Sequence, residues 1–268
     1  VICNDGVTDI TLRSGSANCD FIYTATYSPS VTWLPGKSPE SGVRFNGEGS
    51  RLEQNLAHTS NQPVVVTYTI MPQITGTSSC IGIPAIINVT VAPEVNISPV
   101  TDMILCNGEA SPPVVFTTVN TGALYTYTWT SSNASIGLPA SGTGFIPSFV
   151  AVNTADSPLL STITVTPHYN SGPVLCQGVS QNFNIIVNPT PRVVPVNIEP
   201  EICSGEYMQI QLTSPTVFTT GMTTFDYSVS APEGITGNAD PGTGIAPGED
   251  LSFQYSNNTD TVQTVWFY

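Results

Sequence analysis

Six cysteines, two histidines and a thin scatter of carboxylates are the residues of this 268-residue chain whose types could do chemistry. The cysteines are the informative ones. Ile2-Cys3-Asn4-Asp5-Gly6 returns as Leu105-Cys106-Asn107-Gly108-Glu109 and as Ile202-Cys203-Ser204-Gly205-Glu206, at cysteine intervals of 103 and 97 residues. A second motif, Cys80-Ile81-Gly82, returns 96 residues later as Cys176-Gln177-Gly178. No C-x-x-C occurs, and His58 and His168 lie far in sequence from any cysteine cluster, so a zinc site is a poor account of them. Cysteines recurring in pairs predict disulfides, which persist in oxidising compartments. The expected pairs are Cys3 with Cys80 and Cys106 with Cys176, each stabilising its unit by about 4 kcal/mol in the chain-entropy model. Cys203 is expected to pair with a residue 70–77 positions further on, past Tyr268. Cys19 has no counterpart, and is either a buried thiol or a competitor for Cys3.

Other chemistry is sparse. His58 and His168 read as exposed loop histidines, with no nucleophile motif near either. Glu199 with Glu201, and Glu249 with Asp250, are the carboxylate pairs that glycoside hydrolysis would call for, but they read as solvated linker and loop residues. No cofactor is expected. Calcium is the one candidate ion, with Asp102, Glu109, Glu199, Glu201, Glu206 and the turn Gly237-Asn238-Ala239-Asp240-Pro241-Gly242 as its oxygen donors. Gly142-Thr143-Gly144 and Gly242-Thr243-Gly244 read as turns rather than phosphate cradles, because proline follows each where a helix would have to start. The expectation is a chain without catalysis.

The elements that would hold these residues are strands. Every well-patterned stretch alternates with period two between clusters of Gly, Pro, Asn and Ser. The 23 prolines and 22 glycines leave few stretches able to form a helix of three turns. An aromatic strand recurs as Tyr23-Thr24-Ala25-Thr26-Tyr27, Tyr125-Thr126-Tyr127-Thr128-Trp129 and Phe225-Asp226-Tyr227-Ser228-Val229, which sets Tyr27 against Trp129. Strands ending in proline precede each second cysteine motif (Thr67 to Pro72, Thr162 to Pro167) and follow it (Asn88 to Pro93, Asn184 to Pro189). About seven strands in some 95 residues suit an immunoglobulin-like sandwich. The fold expected is therefore all-β, a tandem of sandwiches of about 97 residues placed end to end. Their bounds are 1–93, 102–189 and 200–268, the last cut short, with Pro-rich linkers at 94–101 and 190–199 stiff enough to give a rod.

Composition excludes several partners. Only 9% of residues are charged, against about 25% in typical soluble proteins, and 19 acidic residues stand against five basic ones. Such a chain cannot neutralise nucleic-acid phosphates or hold anionic lipid through basic residues. No run of 18 apolar residues exists to insert in a membrane. Val1 leads almost directly into a strand motif with no signal segment before it, so the chain reads as a piece of something longer.

The cysteine motifs, the aromatic strand and the proline-ended strands, in this order, resemble the PKD-like repeats of Bacteroidota surface proteins over the whole chain. Such repeats are immunoglobulin-like modules, found among other places in giant gliding-motility adhesins of the SprB type exported by type IX secretion. The resemblance implies a structural and adhesive filament at the bacterial cell surface. Its partners would be neighbouring repeats, like chains in a fibre, and a substratum or polysaccharide. Asp260-Thr261-Val262 resembles the O-glycosylation sequence of that phylum and marks Thr261. Two other functions fit the residues: a carbohydrate- or protein-binding module using Trp33, Trp129 or Trp266 as platforms, and an accessory spacer of a secreted enzyme.

Overall fold

Two long strands organise the first two modules, and both owe their form to alternation. In Leu159–Ser171 every second residue from Ser161 through Ile163, Val165 and Pro167 to Tyr169 is buried, and Thr162, Thr164, Thr166 and His168 fill the positions between. Val64–Ile74 does the same with Val64, Val66, Tyr68 and Ile70. Branched and aromatic side chains of this kind pack well on a pleated surface that is buried on one face. The computed structural model describes residues 1–16, 19–74, 80–121, 124–172, 174–197, 199–238 and 240–268.

Each long strand lies between two partners. Val64–Ile74 pairs antiparallel with Cys19–Thr26 on one side and with Ala85–Val91 on the other, while Gly42–Arg44 adds to the outer edge. Leu159–Ser171 pairs likewise with Leu124–Ser131 and Gln181–Asn188, and Ser141–Thr143 takes the edge. A short segment then runs parallel to the last strand: Ile2 beside Val91, and Met103–Cys106 beside Gln181–Asn188. The opposing layer of the first module joins Gly6–Val7 to Asn55–Leu56, Ile10–Thr11 to Arg51–Leu52, and Trp33 to His58. In the second module that layer is carried by the bridges Ala110 to Val150 and Val114 to Ile146. The third module repeats the plan. Tyr207–Thr213 and Asp250–Asn257 form one layer with Ile235–Gly237, and Phe225–Tyr227, Gly242–Ile245 and the pair Val229–Ser230 with Trp266–Phe267 form the other. The chain is all-β, a series of immunoglobulin-like sandwiches. The apolar faces close on separate cores, around Leu52, Leu56, Val66 and Tyr68 in the first module and around Ile136, Ile146, Ile163 and Ile185 in the second.

Three sequence expectations are corrected here. The prolines do not end the long strands: pairing continues past Pro72 to Ile74 and past Pro167 to Ser171. Each proline sits where the strand changes partner on one side, from the last strand to a short hairpin arm, so its missing N–H breaks no ladder. Its carbonyl accepts instead from Gly82 N–H at 2.7 Å or Gly178 N–H at 2.8 Å. The segment Val194–Asn197, expected as linker, is a strand antiparallel to Tyr207–Thr213. Ile97 is likewise bridged to Thr118, so both proline-flanked segments open the module that follows them.

The aromatic register also shifts. Tyr23, Trp129 and Tyr227 are the equivalent residues, facing Gly42, Gly142 and Gly242 across the sheet edge. Tyr27 instead lies 37% exposed at the end of its strand, edge-on to Trp33 at 5.2 Å. An aromatic run of period two fits its copies at any even offset, and only the facing glycines fix which offset holds. Those glycines have a packing role as well as a turn role. A Cβ on Gly142 would sit 2.3 Å from a ring carbon of Trp129, and one on Gly242 2.1 Å from Tyr227. Gly142→Ala is expected to lower the stability of the second module by about 1–3 kcal/mol through overpacking. Guanidinium denaturation checks this, and an unchanged midpoint would refute the stacking of Trp129 on position 142.

Candidate functional site: the joint between modules

The feature with most chemistry in the chain lies between sandwiches. Ile2 donates its N–H to Thr90 O at 2.8 Å and accepts from Ala92 N–H at 2.9 Å, which fixes Cys3 at the end of the first module's last strand. Cys176 sits in the hairpin arm Val174–Gln177, opposite Tyr169 at the far end of the second module's long strand. The two cysteines are bonded, with Cα atoms 5.4 Å apart and a sequence separation of 173 positions. Around the bond Ala92, Val95 and Tyr169 are buried, with Tyr125 and Val174 packed against them. The second glycine motif serves the same contact. A Cβ on Gly178 would lie 2.2 Å from Val95 O, the atom that accepts from Val179 N–H at 3.1 Å. A groove of about 570 Å³ opens beside the bond, and Asp5 and Lys37 form an ion pair on its wall at 2.8 Å. Hydrogen bonding by Lys37 first, and its charge second, holds the Asp5 carboxyl below the usual range.

This bond overturns the expected pairs Cys3–Cys80 and Cys106–Cys176. Ile2 is level with Val91 and hence with Val64, whereas Cys80 is opposite Ile74 at the other end of the same strand. Ten residues of strand at about 3.3 Å each separate them by roughly 33 Å, and a disulfide needs Cα atoms within about 7 Å. Leu105, level with Leu159, and Cys176, opposite Tyr169, are as far apart. The thiols of Cys80, Cys106 and Cys203 are exposed. Cys19 is a buried thiol in the first module's core, its S–H directed at Asp20 O and Gln73 O.

A polar contact completes the joint on its other side. Asn120, 5% exposed, accepts from Asn96 N–H at 3.2 Å and from the Thr118 hydroxyl at 2.6 Å, and donates to Glu94 O at 2.9 Å. Beside it Thr121 N–H donates to Asn61 O at 3.1 Å, and Gln62 Nε2 donates to the Thr121 hydroxyl at 2.9 Å. The second joint repeats this pattern. Val217 N–H donates to Asp156 O at 2.8 Å, and both bonding residues are shifted from the first joint by nearly one module length. Thr216 is buried like Asn120, bonded to Ser214 at 2.6 Å as Asn120 is to Thr118. Thr219 donates to Asn188 Oδ1 from both its N–H and its hydroxyl, at 3.1 and 2.9 Å.

His58 belongs to this architecture and corrects the expectation of an exposed loop histidine. It is 2% exposed. Its Nδ1 accepts from Ser60 N–H at 3.1 Å, which leaves Nε2–H to donate to Val91 O at 3.3 Å. Asn153 does the same work in the second module, accepting from Ala155 N–H at 2.9 Å and donating to Val187 O at 2.7 Å. Burial pushes the His58 pKa down, and the Val91 bond only partly opposes it. His168 lies within the strand Leu159–Ser171, half-buried and bonded to the Thr128 hydroxyl at 3.0 Å.

The remaining candidates stay apart from the joint. Asp102 accepts from Asn184 N–H at 2.7 Å, and Glu109 and Glu206 fold back onto the N–H groups of Cys106 and Cys203 at 2.8 and 3.0 Å. Among the described residues no three His, Cys, Asp or Glu side chains converge; Ala239 of the expected turn lies outside those residues. Trp129 is a core residue, 4% exposed, so it offers no platform to a sugar. Thr261 is exposed in a loop, its hydroxyl accepting from Gln263 Nε2 at 3.0 Å.

No protein-family model and no curated protein matches the chain. Its fold is similar to solved structures of low identity. These include the human desmocollin-1 ectodomain (9% identical, TM-score 0.31, covering 92% of this chain) and human CDH23 EC21-23 (14%, 0.33, covering 94% of this chain and 88% of that one). The chicken CNTN1 FN1-FN3 domains are 10% identical with a TM-score of 0.28, covering 99% of this chain and 91% of that one. The chain spans 48% of the length of the desmocollin-1 ectodomain. The assignment of the sandwiches rests on strand order and register, not on these likenesses.

Two outcomes follow from the joint. Cys176→Ser is expected to free the Cys3 thiol and to lower stability by roughly 5 kcal/mol, the chain-entropy value for so long a loop. Thiol counting and chemical denaturation read both effects. His58 gains a proton more readily unfolded than folded, so the first module loses stability as pH falls below about 6.5, the unfolded value. His58→Asn, the residue found at the second module's equivalent position, should flatten that dependence in thermal melts between pH 7 and pH 5.

Proposed function

We propose that this chain is a non-enzymatic extracellular spacer, the repeat region of a surface adhesin or filament, built to carry tension between its ends. The observation that carries this reading is the Cys3–Cys176 bond across the first joint. A bond within a module guards that module alone. A bond from the start of one module to the far part of the next lets force bypass everything between the two cysteines. The bond supports an oxidising setting such as the outside of a cell, and the acidic, lysine-poor composition suits a solvated module. The assignment to a gliding-motility filament at the surface of a Bacteroidota cell, exported by type IX secretion, is supported by the motif resemblance alone.

Force spectroscopy on the chain held at its two ends tests the mechanical reading. With the bond intact, only residues outside the 3–176 loop can be drawn out, about 95 residues or roughly 340 Å at full extension. After reduction the limit becomes about 960 Å by the same rule. Equal extensions in the two states would sink the proposal. For the adhesin reading, deletion of the parent gene should impair surface attachment and gliding.

A further inference from the structure

Three exposed thiols in a chain that makes a disulfide need an explanation, because exposed thiols do not stay reduced in an oxidising compartment. Their positions supply one. Cys106 and Cys203 stand in the turn occupied by Cys3, each with its carbonyl accepting from the residue three further on, at 3.0 Å in both, against 2.9 Å for Cys3. Cys80 stands in the hairpin position of Cys176, opposite Ile74 as Cys176 is opposite Tyr169. The second joint also repeats the first joint's hydrogen bond, Val217 to Asp156 after Thr121 to Asn61, so the next module is seated on the second as the second is on the first.

We infer that Cys106 is one half of a second staple, whose other half is a cysteine in the hairpin of the completed third module, at the position of Cys176. By the same relation Cys203 is the half made for a following module of this kind and Cys80 the half made for a preceding one. Each staple forms when two thiols lose two protons and two electrons to the disulfide of a thiol–disulfide oxidoreductase, which leaves as a dithiol. The rule is that a module's first cysteine bonds the hairpin cysteine of its successor. This rests on the geometry of the joint and holds whether or not the array bears load.

The test completes the third sandwich. Ser228 exchanges two backbone hydrogen bonds with Tyr268, at 3.1 and 3.0 Å. Thr130 faces Thr164 at the equivalent level, so a copy of residues 165–188 appended after Tyr268 continues the strand in register and brings a copy of Cys176. In the unextended chain Cys106 should be fully alkylated by a maleimide. In the oxidised extended chain its alkylation should drop at least tenfold, and non-reducing peptide mapping should join it to the appended cysteine. Changing the appended cysteine to Ser should restore alkylation. Should the appended segment fail to fold, the same mapping on the secreted parent protein decides the matter. A Cys106 found there as a thiol, or bonded to Cys80, Cys176 or Cys203, overturns the inference.

Discussion

The length of one strand governs the rest of the molecule. Leu159–Ser171 is longer than the strand beside it: Gln181–Asn188 covers only its part from Leu159 to Val165, and the hairpin arm Val174–Gln177 covers the part from His168 to Ser171. Pro167 marks the changeover. The overhang carries Tyr169 and Cys176 beyond the sandwich proper and into contact with Ala92 and Cys3 of the module before. A sandwich with such a strand has its two cysteines at opposite ends, and they can be satisfied only by neighbours. Between-module pairing is thus a consequence of strand length rather than of any special affinity at the joint.

The joint divides its labour. Its backbone hydrogen bonds, Thr121 to Asn61 and Val217 to Asp156, are each worth about 1 kcal/mol net, enough to select an orientation and too little to hold one against a pull. Buried Asn120 adds specificity, because its amide N–H groups are both used only when Glu94 O and, across the joint, Asn61 O are in place. The covalent bond adds persistence. The ion pair of Arg192 with Asp156 at the second joint is solvent-exposed and contributes little by comparison.

Much of this was written in the sequence. Period-two alternation located the strands, and the returning cysteine motifs located the modules. What the repeat could not reveal was partnership. A cysteine pair spaced one way within each module has the same periodicity as a pair spanning adjacent modules, and only the distance between the ends of a strand separates the two cases. The aromatic register failed for a related reason, since alternation is blind to even shifts; Gly42, Gly142 and Gly242 held the missing information. His58 hid because its partner in the repeat is Asn153, a different residue type with the same two hydrogen-bonding roles, although Pro63 and Pro158 stand five residues beyond each. Asn61, Asn120 and Val217 act at the joint mainly through backbone atoms or a single amide, and no pattern of residue types marks them.

The loop closed by Cys3 and Cys176 contains nearly all of two modules. A protease that cuts any exposed turn inside it, such as the one around Gly36 or Gly144, severs the polypeptide without parting the pieces. Surfaces outside cells are rich in such enzymes. In this arrangement a nicked array remains one object, because every peptide bond between the two cysteines has a covalent detour around it.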